Sequence, residues 1–105
     1  MANYKLCFFV PKDAAETVKE AIFATGAGGI GNYRRCAWQT LGQGQFEPLD
    51  GANPAIGAIG GLEKVPEYKV EILCTEAQLH PAVAALKDAH PYEEVAYEVY
   101  ELVDV

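Results

Sequence analysis

The segment His90-Pro91-Tyr92-Glu93-Glu94 sets an imidazole, a phenol and two carboxylates within five residues. Such a group can hold a divalent cation, with His90, Glu93 and Glu94 as its ligands, or it can transfer protons. Pro91 drives His90 out of helical geometry, so the segment belongs to a turn leaving a helix. The plainer reading has His90 capping that helix, Tyr92 packed and both glutamates solvated. A mixed nitrogen and oxygen set suits several first-row metals, which leaves the identity of any divalent metal open.

A second group is Gly28-Gly29-Ile30-Gly31-Asn32-Tyr33. Successive backbone N–H groups in a glycine-rich loop can cradle an anion, but the lysine and serine of a P-loop are missing and this loop follows a helix. Asn32 serves equally well as a turn residue, so a structural turn is the competing reading. A third is the stretch from Phe46 to Gly61, too long for a simple hairpin connection. Loops of that length in compact domains tend to be functional or to be ordered by a partner. His80, beside Pro81 near a helix start, reads as a surface histidine. No base, nucleophile and orienting group can be assembled from these residues, so an enzyme is not expected.

The elements that must carry these groups follow from hydrophobic periodicity. From Asn3 to Val10 the even positions Tyr4, Leu6, Phe8 and Val10 are apolar, which predicts a strand that Pro11 ends. Asp13 and Glu16 have capping spacing, Val18 and Ile22 give a helical stripe, and Gly26 supplies the stop. Arg34 to Leu41 predicts a second strand with a bulged or bent continuation through Pro48. Glu63 to Cys74 predicts a third, in which Tyr68, Val70, Ile72 and Cys74 alternate with charged residues. Thr75 and Gln78 resemble a capping box, but Pro81 would then fall inside the helix, which favours a start nearer Gln78. The stripe Leu79, Val83 and Leu86 runs to Ala89, and Val95 to Val103 predicts the last strand. The order β-α-β-β-α-β is the α+β, ferredoxin-like arrangement: a four-stranded antiparallel sheet with both helices on one face.

All ten glycines lie between Gly26 and Gly61, so unusual backbone is concentrated in the middle third. At 105 residues the chain is one domain, 1–105, large enough to bury a core without disulfides. The net charge of −7, with no Lys or Arg from residue 88 onward, disfavours nucleic acid as a partner. Cys7, Cys36 and Cys74 are odd in number, widely spaced and set in apolar runs, which reads as free thiols. No stretch approaches membrane-spanning length and no leader pattern opens the chain, so a cytoplasmic protein without membrane contact is expected.

Several ordered motifs resemble one family. Gly31-Asn32-Tyr33, Cys36, Gly42-Gln43-Gly44-Gln45-Phe46-Glu47-Pro48, Gly51-Ala52-Asn53-Pro54, Gly57, Glu63 and the run from His90 to Tyr97 together resemble the YqfO-type domain, which occurs alone or inserted in Nif3-like proteins. The His-Pro-Tyr-Glu element also resembles CutA, which like the PII signalling proteins has a ferredoxin-like fold and forms trimers. The resemblance implies that fold and a symmetric homo-oligomer, trimer before dimer, which would also cover the free sheet face. It implies no activity, because the metal-dependent domain of full-length Nif3-like proteins is absent. The expectation is a small oligomeric binding or regulatory module taking a small molecule or a protein. Its ligand-binding residues are expected at Gly31, Asn32 and Tyr33, at Gly42, Gly44 and Phe46, and at His90, Tyr92 and Glu94.

Overall fold

The computed structural model describes residues 2–105. In chain order these form strand β1 (Asn3–Pro11), a 3-10 turn (Lys12–Ala14), helix α1 (Ala15–Phe23), strands β2 (Trp38–Phe46) and β3 (Glu63–Thr75), helix α2 (Glu76–Ala89) and strand β4 (Tyr97–Leu102). The strands align as β2-β3-β1-β4 in one antiparallel sheet. This is the expected ferredoxin-like order.

Side chains alternate across a strand, and that alternation decides the two faces. Leu6, Phe8 and Val10 of β1 stand opposite Ile72, Val70 and Tyr68 of β3. Val18 and Ile22 of α1, with Ala82 and Leu86 of α2, close over this face to complete the core. Burying each large aliphatic or aromatic side chain contributes roughly 1.5–3 kcal/mol, so this one face carries most of the driving force.

Four local features differ from expectation, each for a physical reason. The Asp13–Glu16 cap does not form: the chain enters α1 through the 3-10 turn, where Ala15 N–H donates to Lys12 O, and Ala14 occupies the N-cap without a side-chain bond. The predicted strand from Arg34 starts only at Trp38, because Arg35 adopts φ 60° and Cys36 N–H donates to Gly28 O at 2.9 Å. The continuation is paired one to one without a bulge, ending at Phe46 opposite Glu63. Helix α2 does start at the capping box, with Thr75 N–H donating to Gln78 Oε1 at 3.0 Å, and Pro81 lies inside it. Pro81 and Ala77 are both exposed, so the carbonyl that loses its partner is in reach of water.

The other face of the sheet carries no helix. Register places Cys7 and Phe9 of β1, Lys69 and Glu71 of β3, Trp38 and Thr40 of β2, and Glu98 and Tyr100 of β4 on it. Trp38 is 66% exposed and Tyr100 47%. β1 pairs with β4 from Asn3 opposite Leu102 to Phe8 opposite Tyr97, and it ends at Pro11 opposite Glu67. Beyond that point β2 and β3 continue alone as a two-stranded ribbon, from Gln43 opposite Pro66 to Phe46 opposite Glu63.

Candidate functional site

At the base of this ribbon the open face bears a cavity of about 440 Å³, roofed by the loop between β2 and β3. That loop is folded on itself: Ala52 N–H donates to Leu49 O at 3.0 Å and Gly60 N–H to Pro48 O at 2.8 Å. Asn53 N–H then donates to Glu93 Oε2 at 2.6 Å, which ties the loop to the turn after α2.

His90 is the keystone of that turn. It ends α2 with extended backbone (φ −72°, ψ 137°), is 6% exposed, and uses both ring nitrogens. Tyr92 N–H donates to Nδ1 at 3.0 Å, so the proton resides on Nε2, which donates to Phe9 O at 2.7 Å. Tyr92 is thereby placed with its ring 5.6 Å from that of Phe46, edge to face. Its hydroxyl donates to Glu67 Oε2 at 3.0 Å. Burial first, then that hydrogen bond and the carboxylate's charge, raise the Tyr92 pKa and keep the phenol neutral.

Glu67 is the residue that reading the chain in order misses. It stands among the odd positions of β3, whose charges mark a solvated face, yet it is only 9% exposed. A Cβ at Gly44 would fall on the Glu67 carboxylate, and Gly42 is paired directly opposite Glu67. Two glycines spaced two apart inside a strand are the available signal, since they mark close approach by a neighbour.

The expected site residues divide accordingly. Phe46, Tyr92, Glu93 and Glu94 line the cavity, Gly44 makes room for Glu67, and His90 braces Tyr92 from behind. Gly42 and Gly44 also line a shallower groove of about 400 Å³ that shares Phe9 and Glu67 with the cavity. Gly31, Asn32 and Tyr33 are elsewhere. They form a reverse turn in which Ile30 and Tyr33 exchange backbone bonds of 2.9 Å, next to Gly28, whose N–H donates to Leu73 O at 2.8 Å. Leu73 and Glu67 are six residues apart on β3, or about 20 Å at the usual rise per residue. Within one chain, therefore, the glycine turn and the His90 turn occupy opposite ends of the sheet.

The expected metal trio is likewise not assembled. Both nitrogens of His90 are engaged, Glu93 accepts from Asn53, and among the described residues no group of three or more His, Cys, Asp or Glu side chains is disposed to hold an ion.

The buried imidazole makes stability depend on pH. Burial lowers the His90 pKa from 6.5, against the opposing pull of the Phe9 hydrogen bond and the Glu67 charge. The unfolded chain then binds the proton first as pH falls, so the contribution of His90 is complete above about pH 6.5 and declines below it. Urea midpoints of the parent are expected to drop more steeply below that pH than those of His90→Gln. Parallel curves would contradict the assignment.

No protein-family model matches the chain. It is 48% identical over 101 residues to the GTP cyclohydrolase 1 type 2 homolog of Halalkalibacterium halodurans, covering 96% of this chain and 27% of that protein. With the protein of the same name from Bacillus subtilis it shares 45% over 96 residues, 91% of this chain and 26% of that one. The chain thus spans about a quarter of the length of the curated relatives it matches. Among solved structures, a Bacillus cereus protein related to NIF3 superposes with a TM-score of 0.83 at 39% identity, over 98% of this chain and 26% of that one. The periplasmic divalent cation tolerance protein CutA from Archaeoglobus fulgidus gives 0.68 at 13% identity, over 100% of this chain and 87% of that one, a likeness of fold alone. The chain is thus homologous to a quarter-length segment of these YqfO/Nif3-like proteins, in agreement with the resemblance of its motifs, and it is folded as CutA is folded.

Proposed function

We propose that this domain is a small homo-oligomeric binding module whose ligand site is the cavity beneath the loop between β2 and β3. The observation that carries the reading is the construction of that cavity. Four separate chain segments converge on it: the end of β1, the run from the end of β2 through the ordered loop, Glu67 of β3, and the turn held by His90. Its volume falls within the range of small-molecule sites.

A symmetric assembly, trimer before dimer, is the arrangement that would cover Trp38 and Tyr100 on the open face. We place the protein in the cytoplasm, where Cys7, Cys36 and Cys74 would remain the free thiols they are here. Among the described residues no helix is long and apolar enough to cross a membrane. A divalent cation on His90 would require it to release at least its bond from Tyr92 N–H, so an organic ligand or partner is the favoured occupant. The cyclohydrolase in the relatives' name describes proteins of which this chain matches about a quarter, and binding rather than turnover is the role proposed for it.

Native mass spectrometry of the purified protein, with and without chelator, tests both parts. The expected spectrum is an oligomer with excess mass that survives chelation and disappears in the cavity-filling variant Ala55→Trp. A bare monomer at micromolar concentration would defeat the proposal, and a bare oligomer would remove its ligand half.

A further inference from the structure

The chemistry of the cavity lining goes further than its existence. Phe9, Phe46, Leu49, Pro54 and Ile56 give it an apolar wall. Its titratable acids are Glu47, Glu67, Glu93 and Glu94, and among the described residues no Lys, Arg or His lines it. Glu93 is occupied by Asn53 N–H, while Glu47 and Glu94 stand at the exposed rim. Glu67 differs from all three. It is nine-tenths buried at the cavity wall, and only its Oε2 is matched, by the Tyr92 hydroxyl. Among the described residues no donor is paired with Oε1, which is open to solvent rather than sealed in the protein. A carboxylate oxygen that opens from an apolar wall toward solvent, with no protein donor on it, is free to accept one from a ligand in the cavity.

From this we infer that the cavity takes a small organic cation: an apolar or aromatic body against Phe46, Leu49 and Ile56, with an ammonium or amidinium group donating to Glu67 Oε1. The inference rests on the cavity being the ligand site, as proposed above. The edge-to-face pair of Phe46 and Tyr92 adds a π surface beside the carboxylate, which attracts cations further. An anion of the same shape would meet four carboxylates in a chain of net charge −7. Binding strength comes from the apolar wall and charge selectivity from Glu67.

The test uses the full chain and three probes of matched shape: phenethylammonium, phenethyl alcohol and phenylacetate. Each is titrated at neutral pH while backbone amide resonances of residues 46–56 and 92–96 are followed. Phenethylammonium is expected to shift these amides saturably and to bind about tenfold or more tightly than the alcohol, with phenylacetate weakest. Glu67→Gln should erase the preference for the ammonium while leaving alcohol binding in place. Equal binding of ammonium and alcohol would overturn the cation assignment and leave the cavity reading standing. Cavity amides unmoved by all three probes would remove both. If Glu67→Gln does not fold, the ranking of the three probes on the parent decides alone.

Discussion

His90→Ala is expected to unfold at a temperature about 15 °C below the parent, a loss of about 3 kcal/mol for a domain of this size. The side chain is almost wholly buried, and its removal leaves Phe9 O and Tyr92 N–H without partners at once. An unsatisfied buried polar group costs roughly 1–3 kcal/mol, and the volume of the ring is lost as well. The damage should reach the cavity, because Tyr92 is aligned from behind by the imidazole and from in front by Glu67. Thermal unfolding together with amide hydrogen exchange at residues 92–96 would measure both effects. A variant with parental stability and unchanged protection would mean that the two bonds contribute little and that His90 is available for another role, metal ligation included.

Gly28→Ala should be at least as damaging, at about 3 kcal/mol or more, while Gly31→Ala should cost only about 1 kcal/mol. Both glycines have positive φ, 87° and 55°, so both substitutions bear the strain of a left-handed backbone. They differ in their surroundings. A Cβ on Gly28 would approach Phe23 Cε1 to 2.8 Å and the Cys36 carbonyl oxygen to 3.1 Å, whereas one on Gly31 would meet nothing within 4 Å. The carbonyl cannot rotate away, since the Gly28 N–H bond to Leu73 and the Cys36 N–H bond to Gly28 fix both backbones. Denaturant midpoints of the two variants isolate packing from strain. Equal losses would show that backbone conformation alone explains the glycines of this loop and that its contacts are incidental.

These two sites also mark how far the sequence could be read. The sheet and its helices were legible because Leu6, Phe8, Val10, Val70, Ile72 and Cys74 repeat with the period of a strand, and the face they define is buried by the helix stripes. The start of β2 was not. Residues 34–37 alternate like a strand, and what withholds them is a backbone bond between Cys36 and Gly28, a long-range choice that no local pattern encodes. Within the site, His90 and Tyr92 were visible as titratable groups in a row. Glu67 was hidden because its burial depends on Tyr92 arriving from 25 residues away, onto a face whose local pattern is polar. Phe46 announced itself through the glycines that precede it, but the partner for which Gly44 leaves room could be named only from strand register.

The pairing of Asn3 with Leu102 on neighbouring strands has a consequence for how such a unit is carried by longer polypeptides. Paired residues on adjacent strands are separated by about 5 Å, little more than the reach of one peptide unit. A host backbone joined at those two points would leave its own path and resume it almost where it left off. The unit could therefore be spliced in or excised as a closed loop of structure. Its cavity, at the base of the ribbon and at the opposite end of β1 from Asn3, would stand clear of the junction.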